Sequence, residues 1–252
     1  MSHGVTERLL GAIRQNERGV LFTVIEGEPL GAKAFALEGG EVVGDGVPQA
    51  VLAQADELIR GARNRLLEVE AARVFAEVYG PPPRLVMIGA VDTADALCQA
   101  ATLLGWETIV ADARQKFATP ERLPHADRLI VDWPVEALAQ VQPDHATAIV
   151  VLTHDDKFDI PALKAALASE AFYIGALGSR RNQERRRERL LEEGVDEAEL
   201  GRISGPCGLD LGAESQSETA LSILAEIVAL RAGRSGGRLR ESKQRIHAQA
   251  LD

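Results

Sequence analysis

Between residues 84 and 175 one pattern repeats, and it constrains the fold more than any other feature of the chain. Short uninterrupted apolar runs at 84–89 (RLVMIG), 107–111 (ETIVA), 127–131 (DRLIV), 147–152 (TAIVVL) and 171–175 (AFYIG) alternate with helical periodicity. The helical segments are predicted at about 92–104, 134–140, 159–169 and 179–193. A strand that is apolar along its whole length needs cover on both faces, which means a parallel sheet with helices on either side. Right-handed crossovers then wind such units into a doubly wound sheet. Ser215 with Glu218 forms a capping-box pattern ahead of a last apolar helix at about 215–231. The predicted fold class is α/β, a Rossmann-like doubly wound parallel sheet preceded by a small α+β domain.

That first domain has a different grammar. Thr6 opens an amphipathic helix with Leu9, Leu10 and Ile13 on one face, and residues 20–26 (VLFTVIE) are rich in strand formers. A turn at Glu28-Pro29-Leu30-Gly31 follows, and the segments 32–37 and 41–43 flank Gly39-Gly40 as a hairpin. A helix is predicted at about 48–62 and one β-like stretch over 66–79. Gly80-Pro81-Pro82-Pro83 is a stiff break, since consecutive prolines exclude both helix and ladder pairing. The expected division is 1–80 for the α+β domain, 81–232 for the Rossmann-like domain, and 233–252 for a polar Gly/Ser/Arg-rich tail open to disorder.

Composition narrows the function classes. The 252 residues are 46% apolar, too many for a disordered chain, and carry 28 basic against 38 acidic groups, a net charge of −10. That balance argues against a nucleic-acid partner held through its phosphates. Two cysteines make neither a disulfide framework nor a thiolate zinc site. No apolar run approaches the roughly 20 residues of a membrane span, and the first 20 residues hold no signal-peptide core. A soluble cytoplasmic protein is expected.

The first βα turn of a doubly wound sheet normally carries G-x-G-x-x-G/A for a dinucleotide pyrophosphate. Here it is Gly89-Ala90-Val91-Asp92-Thr93-Ala94. Gly89 and Ala94 keep the pattern, but Val91 is β-branched where backbone must approach the ligand. Asp92, expected to cap the helix, would set a negative charge beside a phosphate. Asp112, about 20 residues on, still suits a ribose hydroxyl. The turn therefore predicts a Rossmann-like scaffold without tight NAD(P) binding.

Polar residues gather after the fourth and fifth strands of this domain. Thr153-His154-Asp155-Asp156-Lys157 follows one; Gly178, Ser179, Arg180 and Arg181 follow the other. Ser179 would cap the next helix. Two arginines in its first turn oppose the macrodipole unless an anion is present, which makes a phosphate site. Arg185–Arg189 has the pattern of a charged, solvated helix face. His154 is a candidate ligand contact, and a metal site is not expected because no second histidine lies at a ligand spacing. A third segment, Gly205-Pro206-Cys207-Gly208-Leu209-Asp210-Leu211-Gly212-Ala213, is a shaped loop in which Gly208 and Asp210 are candidate binding residues. Cys98 is expected in the core, which leaves Cys207 for any sulfur chemistry.

Three stretches together, FYIGALGSRR, THDDKFDIPAL and GPCGLDLGAESQSETALSILAEIVALR, resemble the XdhC/CoxI family of xanthine dehydrogenase accessory factors, over about Pro83 to Gly233. The resemblance implies a Rossmann-type C-terminal domain in a cytoplasmic, chaperone-like protein. Such a protein would bind molybdenum cofactor as cargo, favour its sulfuration and deliver it to a molybdenum hydroxylase of the xanthine dehydrogenase type. It implies that Gly178, Ser179, Arg180 and Arg181 handle the anionic end of the ligand while Thr153, His154, Asp155 and Asp210 shape the pocket. Two departures stand out. The family's first turn usually reads GAGHVA, and many members carry a serine–glycine–glycine–cysteine motif where this chain has Val43-Gly44-Asp45-Gly46-Val47-Pro48. A maturation factor without catalytic residues is the expectation. The alternatives are an NAD(P)-dependent oxidoreductase and a degenerate Rossmann docking module without ligand. A homodimer is left open.

Overall fold

In a computed structural model of the chain, residues 2–69 and 72–243 are described; the part of the expected tail from residue 244 lies outside them. The chain divides into two compact units, residues 82–238 and residues 1–81 with the segment from Leu239.

In the first unit, helix α1 (Ser2–Arg14) precedes β1 (Gly19–Glu26), β2 (Lys33–Leu37) and β3 (Val42–Gly44), then α2 (Gln49–Leu52), α3 (Ala55–Gly61), β4 (Arg65–Val69) and β5 (Ala72–Tyr79). The strands form one antiparallel sheet in the order β3-β2-β1-β5-β4. Alternation along β1 feeds two cores. Val20, Phe22 and Val24 pack with Val51, Leu58 and Ile59 of α2 and α3, and Leu21 packs with Val5 and Ala12 of α1. The structure corrects three expectations here. Helix α1 starts at Ser2, ahead of Thr6, and packs through Val5, Leu9 and Ala12 while Leu10 and Ile13 are exposed. The single β-like stretch 66–79 is a hairpin, with β4 antiparallel to β5 from Arg65↔Ala76 to Val69↔Ala72. No Gly, Pro, Asn or Asp interrupts the sequence there, so its reversal carries no turn signal. The helix expected at 48–62 is two short ones that part at Ala53 and Gln54.

The second unit comprises β6 (Arg84–Ile88), α4 (Asp92–Thr102), β7 (Glu107–Ala111), β8 (Arg128–Ile130), α5 (Pro134–Val141), β9 (Thr147–Val151), α6 (Asp156–Leu167), β10 (Tyr173–Ala176), α7 (Arg180–Glu192), α8 (Glu197–Leu200), β11 (Ile203–Ser204) and α9 (Gln216–Arg231). Its sheet runs β11-β10-β9-β6-β7-β8 with every pair parallel, which is the Rossmann strand order. Leu85 and Met87 of β6 enter one core with Leu97 of α4 and Ile223 of α9. Val86 and Ile88 enter the other with Leu138 of α5, Leu163 of α6 and Leu190 of α7. The helix after β6 and the helix after β9 thus cover opposite faces, so a crevice opens between the carboxyl ends of these two strands. Helix α8 and strand β11 escape sequence-based prediction, being too short to show a periodicity.

Candidate functional site

The crevice at the carboxyl ends of β6, β9 and β10 holds a cavity of ≈ 650 Å³, within the range of small-molecule sites. Its apolar wall is Val91, Leu152 and Leu177, its polar wall includes Thr93, His154, Ser179, Asn182, Gln216 and Thr219, and two opposite charges, Asp92 and Arg122, also lie on it. Three helices begin on it: α4 at Asp92, α7 at Arg180 and α9 at Gln216. Each contributes side chains from its first turn to the lining. The positive ends of three macrodipoles therefore meet in one place, which favours an anion, and the Asp92 carboxylate that opposes one is paired with Arg122.

Side-chain caps fix two of these starts. Ser179 accepts from the Asn182 N–H at 3.3 Å, and Ser215 with Glu218 forms the full capping box foreseen for α9. The cap expected from Asp92 is absent: Val91 holds the N-cap position, and Asp92 is the first helical residue, its exposed carboxylate 3.5 Å from Arg122. The Thr93 hydroxyl donates to the side-chain oxygen of Gln216, tying α4 to α9 across the cavity wall.

Beneath the cavity lies a buried brace. Arg186 is 1% exposed. Its Nη1 donates to the Leu177 carbonyl at 2.7 Å, its Nη2 to the Thr153 carbonyl at 2.9 Å, and its Nε to Asp159 Oδ2 at 2.8 Å. The Thr153 hydroxyl donates to the other oxygen of Asp159. Burial pushes the Asp159 carboxyl up, while the Thr153 hydroxyl and Arg186 pull it back down. One guanidinium thereby joins the segments after β9 and β10, which carry His154 and Gly178 into the lining. Gly178 has a φ of +139°, and a Cβ there would stand 3.3 Å from Arg186 Nη1.

The β7 side of the crevice is closed. Asp112 Oδ2 accepts from the Ala90 N–H at 2.9 Å and from Arg114 Nη2 at 2.8 Å. Its Oδ1 accepts from the Arg114 backbone N–H and Nε, each at 2.9 Å. Burial pushes this carboxyl up, but Arg114 and the two N–H groups outweigh it and hold it below the ordinary range. The Arg114 guanidinium also lies over Phe117, 4.4 Å from the ring centroid. Both oxygens of the carboxylate expected on a ribose are thus committed to the protein, and Asp112 does not line the cavity.

Of the candidate residues, His154, Gly178 and Ser179 line the cavity and Thr153 lies directly below, while the others have different places. Arg180 and Arg181 are exposed at the start of α7 and outside the lining, so the helix ends there carry the anion field instead. Asp155 caps α6 through the Lys157 N–H at 3.0 Å, which starts that helix at Asp156, ahead of the expected 159. Gly89 serves close packing: its φ is +117°, and a Cβ would meet Thr153 Cγ2 at 2.6 Å. Gly208 plays a like part against Ser222 of α9, with a Cβ at 2.5 Å from Oγ, and Asp210 is exposed beyond the cavity.

Cys207 does not suit nucleophilic chemistry. Its thiol is buried and pushed up to about 12, by burial first and then by Glu226. Burial pushes Cys98 up to about 12 as well. Among the described residues no three His, Cys, Asp or Glu side chains form a metal-binding group, and no helix is long and apolar enough to cross a membrane.

Sequence reasoning missed Arg186, Asp159, Asn182 and Gln216. Arg186 stands one turn before buried Leu190, on the inward side of a helix whose arginines otherwise look solvated, and Asp159 sits between Phe158 and Ile160. Those placements were the available signal.

Residues 85–227 match the model of the XdhC Rossmann domain. Among curated proteins, the chain is 35% identical over 171 residues to the uncharacterized protein YqeB of Escherichia coli (strain K12), covering 66% of this chain and 31% of that protein. It is 32% identical over 162 residues to a probable xanthine dehydrogenase subunit of Bacillus subtilis (strain 168), covering 64% and 47%. It is 31% identical over 157 residues to the molybdenum cofactor insertion chaperone PaoD of Escherichia coli (strain K12), covering 62% and 43%. The alignments thus span under half the length of these relatives. Among solved structures, a crystal structure described as a xanthine dehydrogenase from Bacillus halodurans matches with a TM-score of 0.68 at 26% identity, covering 90% of this chain and 66% of that one.

Proposed function

The chain belongs to the XdhC family, and from that premise we propose that it is an accessory factor that carries molybdenum cofactor to a molybdenum hydroxylase of the xanthine dehydrogenase type. The observation that supports this most is the meeting of three helix N-termini on one cavity of ≈ 650 Å³. Such a cavity suits a ligand with a phosphate at one end. Asn182 and Gln216 add side-chain amides, which can match the donor and acceptor edge of a pterin ring. Leu152 and Leu177 offer the ring an apolar face.

The residues on the cavity are those of a binding protein. Neither thiol is suited to carry sulfur, since both are buried and pushed up to about 12. Any sulfuration would then draw its sulfur from a partner while this chain holds and shields the cargo. The oxidoreductase reading loses its main support in the Asp112–Arg114 pair. The relatives' names, which include a cofactor insertion chaperone and part of a xanthine dehydrogenase, fit delivery to a hydroxylase.

Native mass spectrometry of the full chain, purified from a host that makes molybdenum cofactor, tests the proposal. A retained molybdopterin mass is expected, lost in Asn182→Ala and His154→Ala variants that still fold. A cell lacking the protein should show a hydroxylase poor in active cofactor. Full hydroxylase activity in that cell, with no ligand on the purified chain, would refute the reading. Tight binding of NADH or NADPH in calorimetry would favour the oxidoreductase instead.

A further inference from the structure

Among the described residues the cavity lining carries two acidic or basic side chains, Asp92 at the start of α4 and Arg122 in the loop after β7. Arg122 Nη2 lies 3.5 Å from Asp92 Oδ1, at the limit of a hydrogen bond. The two side chains are 38% and 81% exposed. A pair this long and this well solvated holds each partner weakly. The backbone that carries Arg122 is fixed by other means. Ala118 and Leu123 are buried in the core of the domain, and the His125 N–H and Nδ1 meet the Asp95 carboxylate of α4 at 3.2 and 2.9 Å. Arg122 is thus a side chain able to change partners on a loop that stays in place.

The Phe117 ring gathers further positive charge beside it. Arg114 lies 4.4 Å, Lys116 4.9 Å and Arg122 5.0 Å from the ring centroid. Asp112 holds Arg114 through both oxygens, so the pull of this cluster on an anion comes from Lys116 and Arg122. A cation over a ring still offers its N–H groups to a partner. We propose that Asp92 is a built-in stand-in for the phosphate of the cargo: it engages Arg122 in the pairing seen here, and an arriving phosphate takes Arg122 from it. This rests on reading the cavity as the site of a phosphate-bearing ligand. The exchange is favourable because a guanidinium can grip a phosphate through two parallel N–H bonds, against the one long contact it gives up. It is also limited, because the Asp92 carboxylate remains on the cavity and repels the incoming anion. An affinity held down in this way suits a carrier, which must release what it binds. The exchange also accounts for the negative charge that Asp92 sets in the first turn, since that carboxylate brings a cation of its own to surrender.

Titration calorimetry of the full chain with inorganic pyrophosphate tests the exchange apart from any pterin. Asp92→Asn should tighten binding by about 3- to 10-fold, by removing a competitor and a repelling charge. Arg122→Gln should weaken it by about 10- to 100-fold, the worth of hydrogen bonds to a charged group. In the Arg122→Gln background the gain from Asp92→Asn should shrink, because the cation it competes for is gone. Both side chains are solvent-facing, so melting curves should not move, which separates these effects from misfolding. Neopterin and neopterin monophosphate, titrated in parallel, read the pterin end: the phosphate should strengthen binding, and Arg122→Gln should erase that advantage. Pyrophosphate that binds neither the parent nor Asp92→Asn, or whose affinity ignores both substitutions, overturns the exchange. So does an Asp92→Asn gain of full size without Arg122, or a phosphate advantage that Arg122→Gln leaves intact. Pyrophosphate binding that follows both substitutions while neither pterin binds upholds the exchange and overturns the pterin reading instead.

Discussion

The two sides of the crevice each bury an aspartate against an arginine, and the pairs do different work. On the β7 side, Asp112 and Arg114 lie two residues apart, and the arginine side chain is 38% exposed. That pair closes on itself, gathers the Ala90 N–H and leaves no acceptor for a ribose. On the β9 and β10 side, Asp159 and Arg186 are 27 residues apart, and the arginine side chain is 2% exposed. That pair spends its remaining donors on the Leu177 and Thr153 carbonyls and so becomes the floor of an open cavity. Sequence separation makes the difference. A pair made within one loop can only shape that loop, whereas one drawn from two helices sets the distance between two strand ends.

The largest effect that could break this comparison is loss of the brace. Arg186→Met should cost about 3–5 kcal/mol, because it strands a buried carboxylate. The double variant Arg186→Met with Asp159→Leu should recover much of that loss in urea midpoint and still fail to bind cargo, since the carbonyls of Thr153 and Leu177 lose their link. Equal destabilisation by the single and double variants would deny the pair its role.

Gly89→Ala ranks next. It sets a side chain at a φ of +117° and against Thr153, and strain of this kind costs about 1–3 kcal/mol. Thermal denaturation measures it, and an unchanged melting temperature would show that the first turn has room to spare.

Asp112→Asn should cost about 1–3 kcal/mol at neutral pH, the worth of charge-assisted bonds left half made. Its pH dependence sharpens the contrast. A carboxyl held below its unfolded value stabilises the fold fully above the ordinary aspartate range, and that contribution is lost as pH falls through the folded value. The Asp112→Asn deficit should therefore shrink in acid. Asp159 is held above its ordinary value, which penalises the fold at neutral pH and relieves it as pH falls. The Asp159→Asn deficit should correspondingly widen over the same titration. Urea midpoints from pH 7 downward distinguish the two slopes.

The smallest effects belong to groups outside the cavity. Arg180→Ala and Arg181→Ala should each change stability by no more than about 0.5 kcal/mol, as exposed positions do, and leave cargo binding largely intact. Iodoacetamide at pH 8 should leave Cys207 unmodified until the chain unfolds, because its thiol is pushed up to about 12. Rapid labelling of the native chain would reopen sulfur chemistry at that residue.

Local pattern was sufficient for the scaffold. Strands buried on both faces must be apolar throughout, so β6, β7, β9 and β10 stand out in the sequence, and the glycines and caps after them mark where the chain turns. The Ser215–Glu218 capping box was legible for the same reason, since both of its partners lie within one turn. The β4–β5 reversal was not, because period-two alternation looks the same on either side of a turn that carries no turn residue.

Which polar groups serve the cavity needed the fold. Arg180, Arg181 and Arg186 are one residue type on one helix, and only helix phase against the sheet makes the first two solvent-facing and the third the floor of the site. Asp112 sits where a ribose contact belongs, yet Arg114 occupies it. Periodicity reports burial, which is a property of one element at a time. Orientation and partnership are relations between elements far apart in the chain, and tertiary packing alone sets them.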